Sequence, residues 1–224
     1  MLKNKDNIKA ILFDIDGTLL DTAADLIDAF NIVLTEEGIQ PLPYENLKKA
    51  AGYGIAKLSE IAYQKTLEPE HIERLRERYL HHYTQAQCQK SCFFPGMQET
   101  LSIVKQTRPW GIVTNRLSHM TEHLLPHFPE LDHHCLISRD FVDQPKPSPA
   151  SLLLAAERLN IQPEHCVYIC DTVIDIEAAR GANMSVIAVN YGYDDEIKLH
   201  PQWQADVYVD TPKDILKCLG LLSN

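Results

Sequence analysis

The chain has no block of lysine or arginine: its 21 basic residues are scattered among 31 acidic ones, for a formal charge of −10. Nucleic-acid backbones and anionic membranes are bound through clustered positive charge, so neither is expected as the main partner. A local cationic pocket remains compatible with this balance. No apolar run is long enough to span a bilayer or serve as a signal peptide, and Met1-Leu2-Lys3-Asn4-Lys5-Asp6 leads straight into a short strand. The expected location is the cytoplasm. The cysteines, Cys88, Cys92, Cys135, Cys166, Cys170 and Cys218, include no C-x-x-C pair, and Cys166 and Cys170 lie in one apolar run. Reduced, buried thiols are expected rather than disulfides. No internal repeat or low-complexity tract occurs. At 224 residues and 45% hydrophobic content, the chain can bury a real core, either as one large domain or as a core with a smaller insertion.

What is present begins at Asp14-Ile15-Asp16-Gly17-Thr18-Leu19, which follows the apolar run Ile11-Leu12-Phe13. Two carboxylates thus stand at the carboxyl end of a buried strand, where an α/β sheet does its chemistry. Strand alternation predicts that Asp14 and Asp16 point to the same side, and Gly17 lets the chain turn away with its N–H groups open to a ligand. Two like charges so close call for a cation.

Beyond this motif the pattern turns helical. Thr22-Ala23-Ala24-Asp25 has the form of a capping box, and Leu26, Phe30, Val33 and Leu34 recur at helical spacing until Gly38. Leu58, Ile61 and Ala62 form a second apolar face, and Pro69 starts a helix carrying Ile72, Leu75, Tyr79 and Leu80. No strand is evident in this stretch, so residues 19–89 are expected to be an inserted all-helical unit. From Phe94-Pro95-Gly96 onward, strand-like runs alternate with helices: Trp110–Thr114, Cys135–Ser138, Cys166–Cys170, Ser185–Asn190 and Val207–Val209. Ser148-Pro149 and Thr211-Pro212 read as N-caps followed by proline at the first helical position. With Ile8–Phe13 these strands predict a Rossmann-like α/β core with a mostly parallel sheet, formed by residues 1–18 and 90–224.

Four short signals fall at the ends of these strands or on the next loop: Asp14-x-Asp16-Gly17-Thr18, Thr114-Asn115, Lys146 within Gln144-Pro145-Lys146-Pro147, and Asp171-x-x-x-Asp175. Each alone is weak. Together, in this order and over essentially the whole chain, they resemble the haloacid dehalogenase superfamily of phosphohydrolases. The resemblance implies that Asp14 attacks phosphorus and forms an aspartyl-phosphate. It implies that Asp16 protonates the leaving oxygen and then takes a proton from the hydrolytic water. Asp14, Asp171 and the backbone carbonyl of Asp16 would hold Mg²⁺, with Asp175 binding through water or fixing the shell. Thr114, Asn115, Lys146 and the N–H groups near Ile15 and Asp16 would bind phosphate oxygens. A single Lys146 contact at intermediate dielectric is worth on the order of 4 kcal/mol.

The match has departures. Cys170 stands before Asp171 where the family usually has glycine, Arg116 follows Asn115 where close relatives often have lysine, and Pro145 precedes Lys146 in place of a small polar residue. None replaces a presumed catalytic group. Other signals have plain structural readings: His123 and His127 are spaced like a metal pair but lack a further ligand motif, as do His81-His82 and His133-His134. Gly52-Tyr53-Gly54 follows no strand and reads as a turn, not a dinucleotide loop.

The insert resembles the cap of the phosphoglycolate phosphatase branch, in which the cap closes over the site and reads the leaving group. On that basis Gly52–Lys57 is expected to contact substrate, with Lys57 an anion partner. The expected partner is a small phosphorylated metabolite, with 2-phosphoglycolate the leading candidate. Tyr191-Gly192-Tyr193, Pro201, Trp203, Ala205-Asp206 and Val209-Asp210 also resemble the N-acetylmuramic acid 6-phosphate phosphatases of cell-wall sugar salvage. A dehalogenase is disfavoured, because a halide leaving group gives Asp16 nothing to protonate. A sugar phosphomutase sharing the core and a catalytically silent binding module on the same fold are the remaining alternatives.

Overall fold

Apolar four- and five-residue strands that are buried along their whole length belong in a parallel sheet covered on both faces, and this chain builds one. The computed structural model describes all residues except 1, 3, 4, 87, 195, 196, 198–201, 203, 223 and 224. Pro201 and Trp203, which carried part of the sugar-phosphatase resemblance, lie outside the described residues. The chain divides into two compact units, Met1–Leu20 with Phe93–Asn224, and Asp21–Cys92.

In the first unit, β1 (Ala10–Phe13), β4 (Trp110–Val113), β5 (Cys135–Ile137), β6 (Cys166–Cys170), β7 (Ser185–Val189) and β8 (Val207–Val209) form a six-stranded sheet ordered β5-β4-β1-β6-β7-β8. Every pairing in it is parallel, with Leu12 opposite Gly111 on one side and Tyr168 on the other. The chain first builds outward from β1 through β4 to β5, then crosses back to place β6 on the other flank of β1. That reversal puts a crevice at the carboxyl ends of β1, β4 and β6.

Helices α5 (Met97–Lys105), α6 (Ser118–Leu124), α7 (Ala150–Arg158), α8 (Val173–Gly181) and α9 (Pro212–Cys218) connect or follow these strands. Leu152, Ala155 and Ala156 of α7 and Ile176, Ala178 and Ala179 of α8 pack with Leu12, Val113, Tyr168 and Cys170 in one buried cluster. The small alanines let the helix backbones approach the sheet. On the alternate set of positions, Phe13 meets Trp110 edge to face at 6.0 Å between ring centroids. The thiol of Cys170 is thus a core group, and burial pushes it well above its ordinary pKa.

The second unit contains α1 (Ala23–Glu36), α2 (Tyr44–Ala51), α3 (Ile55–Tyr63) and α4 (Pro69–Ala86). Leu26, Phe30, Val33 and Leu34 of α1 are buried, as their spacing predicted, and Gly38 ends the helix at φ +74°. Leu58 of the second expected face is buried, while Ile61 and Ala62 are only half-buried. Gly52-Tyr53-Gly54 forms the turn between α2 and α3. Two short strands, β2 (Leu20–Asp21) and β3 (Cys92–Phe93), pair where the chain crosses between the units.

The expected capping box is not formed. Thr22 makes no side-chain cap, and Asp25 turns instead to the returning chain, accepting the Lys90 and Ser91 N–H groups at 3.1 and 2.8 Å and the Ser91 hydroxyl at 2.5 Å. A buried carboxylate with three donors outcompetes a single helix-end bond. The other caps fall close to expectation: α9 begins at Pro212 after Thr211, but α7 begins at Ala150, one residue later than Ser148-Pro149 implied. Asp25→Ala should lower unfolding free energy by roughly 1–3 kcal/mol, the usual cost of stranding such donors. Urea unfolding followed by circular dichroism measures it, and an unchanged midpoint would assign the stability of this return to its apolar contacts alone.

Candidate active site

The strand ladder continues one step past β1, with the Asp14 N–H bonded to the Ile169 carbonyl at 3.0 Å. The chain then folds over itself: the Ile15 carbonyl accepts the N–H groups of Thr18, Leu19 and Leu20 at 3.3, 3.0 and 2.9 Å. Strand geometry therefore stops before Asp16, and a turn, not strand alternation, carries its carboxylate. Gly17 sits in this turn at φ +79°, and a Cβ there would lie 2.0 Å from Asp171 Oδ2. Only glycine allows the turn to rest on that carboxylate.

Asp171 follows β6, and Asp175 lies in the first turn of α8. Together with Asp14 they present carboxylate oxygens within 4.8 Å of one another, all buried. Burial is the main force on their titration. It raises Asp14 to about 7, a shift that Lys146 opposes while Asp175 and Asp16 reinforce it. Asp171 is pushed well above the carboxylate range by burial and by its neighbours Asp14 and Asp175.

Lys146 enters this cluster from the loop before α7. Its ammonium contacts Asp14 Oδ1 at 3.0 Å and Asp175 Oδ1 at 2.6 Å, and donates to the Tyr168 hydroxyl at 2.7 Å. Tyr168 in turn donates to the Val113 carbonyl at 2.9 Å. Burial acts to depress the Lys146 pKa, but the two carboxylates more than reverse it and hold the ammonium charged. Its cationic role was legible from sequence; its seat between two acids was not.

Asp16 is held by a different cation. Arg116 Nε and Nη2 donate to Asp16 Oδ2 and Oδ1, both at 2.7 Å. Thr114, buried beyond the end of β4, accepts the Arg116 N–H at 3.2 Å. Asn115 donates to the Lys146 carbonyl at 3.0 Å, tying two of the expected phosphate-binding positions together. Its Oδ1 is buried with no partner among the described residues. An acceptor left so costs about 1–3 kcal/mol and marks a place where a ligand donor belongs.

The sequence motifs did not reveal the groups that aim these acids. Thr18 donates to Asp171 Oδ1 at 3.2 Å, and the Tyr193 N–H to Asp171 Oδ2 at 2.9 Å. Thr172 donates to Asp175 Oδ2. Gly192 packs so closely that a Cβ would come within 2.3 Å of Asp171 Cβ, so the Tyr191-Gly192-Tyr193 loop is a clamp on this carboxylate. Thr172 is a near neighbour of the acid it aims, but Thr18 and Tyr193 reach Asp171 from 153 and 22 residues away. Lys57, the expected anion partner, pairs with Glu60 on its own helix at 2.9 Å. His123 and His127 are exposed, as their plain reading required.

The donor set fits a hard divalent cation. With all four carboxylates ionised, the two cations Lys146 and Arg116 leave two negative charges in a largely buried cleft of oxygen ligands, the charge that a divalent cation would balance. No helix among the described residues is long and apolar enough to cross a membrane.

Residues 11–189 match the family described as haloacid dehalogenase-like hydrolase. An N-acetylmuramic acid 6-phosphate phosphatase of Pseudomonas aeruginosa is 32% identical, over 95% of this chain and 95% of that protein. A phosphoglycolate phosphatase of Xanthomonas campestris pv. campestris is 33% identical, over 92% of this chain and 94% of its own length. A crystal structure from Haemophilus somnus 129pt, described as a predicted phosphoglycolate phosphatase, superposes with a TM-score of 0.80 at 25% identity, covering 94% of this chain and 97% of that one. With a family match over residues 11–189 and relatives 32–33% identical over more than nine-tenths of its length, the chain belongs to the haloacid dehalogenase-like hydrolases.

Proposed function

We propose that this hydrolase is a Mg²⁺-dependent phosphatase that cleaves a small phosphorylated acid, 2-phosphoglycolate above all, through an aspartyl-phosphate on Asp14. The observation that carries the reading is the seat of Asp14: a buried carboxylate beyond the central strand, touching Lys146 and within reach of Asp171 and Asp175. In the first half-reaction an Asp14 oxygen bonds to phosphorus as the bond to the leaving oxygen breaks, and Asp16 gives that oxygen its proton. In the second, water attacks phosphorus, Asp16 takes the water's proton, and the Asp14–phosphorus bond breaks to release phosphate. Lys146, Thr114 and Asn115 offset charge on the transferring group. Asp14, Asp171 and the Asp16 carbonyl would hold Mg²⁺, with Asp175 fixing the shell through Lys146 and Thr172; the ion would supply charge stabilisation to the phosphoryl oxygens. The helical unit Asp21–Cys92 is proposed as the cap that reads the leaving group.

N-acetylmuramic acid 6-phosphate is the second reading, supported by relatives named for that substrate at 32–33% identity over 95% of this chain. Phosphate release from both substrates, hexose phosphates and an aryl phosphate, with Mg²⁺ and with chelator, separates the readings. Strong preference for 2-phosphoglycolate is expected, whereas preference for the sugar phosphate would favour the second. Asp14→Asn should abolish turnover, and Asp16→Asn should slow it by roughly 10²-fold or more. Normal turnover in Asp14→Asn would remove Asp14 as nucleophile.

The metal reading has a thermodynamic signature of its own. Asp14 and Asp171 have folded pKa values raised above the unfolded carboxylate range. The native state therefore binds more protons than the unfolded one between about pH 4 and 7, and metal-free protein loses stability as pH rises through that window. A cation needs these groups ionised, so Mg²⁺ should raise the melting temperature more at pH 8 than at pH 5.5. Thermal melts with Mg²⁺ and with chelator measure this; an equal shift at both pH values, or one retained in Asp171→Asn, would place the ion elsewhere.

A further inference from the structure

We infer that Arg116 is a positioning residue that aims the Asp16 carboxylate, the proton donor and acceptor of the reaction proposed above, and the inference rests on that reading. The two 2.7 Å bonds from Nε and Nη2 run to different oxygens of Asp16, so the guanidinium fork fixes the plane of the carboxylate as well as its place. The Arg116 side chain is only 3% exposed and that of Asp16 13%, so water competes little for either.

The need for such a fork follows from where Asp16 stands. Regular strand structure ends at Phe13, and the turn beyond it contains Gly17 at positive φ. Asp14 is held by the sheet ladder, but Asp16 is two residues past that support. Arg116 brings it a frame from another part of the sheet. Its N–H bonds Thr114 Oγ1, and its carbonyl accepts the Arg139 N–H at 2.8 Å. Two residues on, Ser118 donates through its N–H and hydroxyl to Asp140 at 2.9 and 2.6 Å. The loop after β4 is therefore pinned to the segment after β5, and the fork transfers that rigidity to the turn after β1.

Positioning by a fork is compatible with proton transfer. A carboxylate offers about four lone-pair sites, and the fork takes only one on each oxygen, so it does not by itself exclude the proton. A lysine at this position would keep the positive charge but present a single point of attachment, which leaves the carboxylate plane free to rotate. Charge and orientation can thus be separated by one substitution.

The test uses the full-length protein and its Arg116→Lys and Arg116→Gln variants, with kcat/KM measured on two esters lacking other charges. An alkyl phosphate needs its leaving oxygen protonated, while nitrophenyl phosphate releases a stable anion without that help. General acid assistance is worth about 10²–10⁴-fold, so Arg116→Lys should lower kcat/KM for the alkyl ester by at least ~10-fold and for the aryl ester by less than ~3-fold. The ratio of the two is independent of how much of a variant is folded. An equal loss on both esters, or no loss, would overturn the inference and leave a structural ion pair. A defect confined to KM for carboxylate-bearing substrates would overturn it as well, by making Arg116 a substrate ligand. Crystal structures supply a readout without activity: the Asp16 carboxylate should be rotated in Arg116→Gln, and an unchanged rotamer would refute the role. Release from neither ester by the unsubstituted protein would instead defeat the phosphatase reading itself.

Discussion

Three buried carboxylates crowded together, two of them on one lysine, set the terms for everything else in the core unit. Taking charges out of water costs several kcal/mol per ion, and only close partners offset it. Asp14 and Asp175 share Lys146, whose ammonium is further fixed by the Tyr168 hydroxyl. Asp171 has no lysine; it is held by the Thr18 hydroxyl and the Tyr193 N–H, and both donors can reach it only because Gly17 and Gly192 carry no Cβ. The tyrosine behind Lys146 lies in the middle of β6, so the charge cluster and the apolar core are parts of one packing arrangement.

Much of this was legible in the sequence, for a physical reason. Parallel strands buried on both faces are continuous apolar runs, and the one at Cys166–Cys170 has the bounds expected of it, as does the half-buried edge strand Val207–Val209. Asp14, Thr114, Asn115 and Asp171 also stand at or beside strand ends, and Lys146 on the loop before α7, where the motifs placed them, because these positions depend on local pattern alone. What failed depended on bonds that the apolar pattern does not show, one set distant and one local. The Thr22–Asp25 box read as a helix cap because the competing donors, Lys90 and Ser91, lie far along the chain. Asp16 was expected to follow strand alternation, but the Ile15 carbonyl gathers three N–H groups and ends the strand first.

Arg116 illustrates the same limit from the other side. In the sequence it is a departure, an arginine where lysine is common, with no stated consequence. In the fold it closes on Asp16, 100 residues away, and the distinction between arginine and lysine becomes one of geometry. Both carry one positive charge, but only the guanidinium meets both carboxylate oxygens at once. Cys170 is the contrasting case: a departure beside a proposed metal ligand whose thiol is absorbed by the core cluster and leaves the acids in place.

The allocation of cations also bears on the order in which ligands can arrive. Lys146 is already shared between Asp14 and Asp175, and Arg116 is engaged by Asp16. Each cation meets an incoming phosphate already partly neutralised by acids, and the phosphate brings further negative charge to a cleft with a surplus of them. Like charges in a poorly solvated site repel strongly, and the protonation of Asp14, with its pKa raised to about 7, is one way the protein alone relieves that strain. Protonation, however, would remove the lone pair with which Asp14 attacks in the proposed reaction. A divalent cation would relieve the same repulsion while leaving the carboxylate ionised, so on that reading a metal bound first favours both the binding of a phosphate ester and the attack on it.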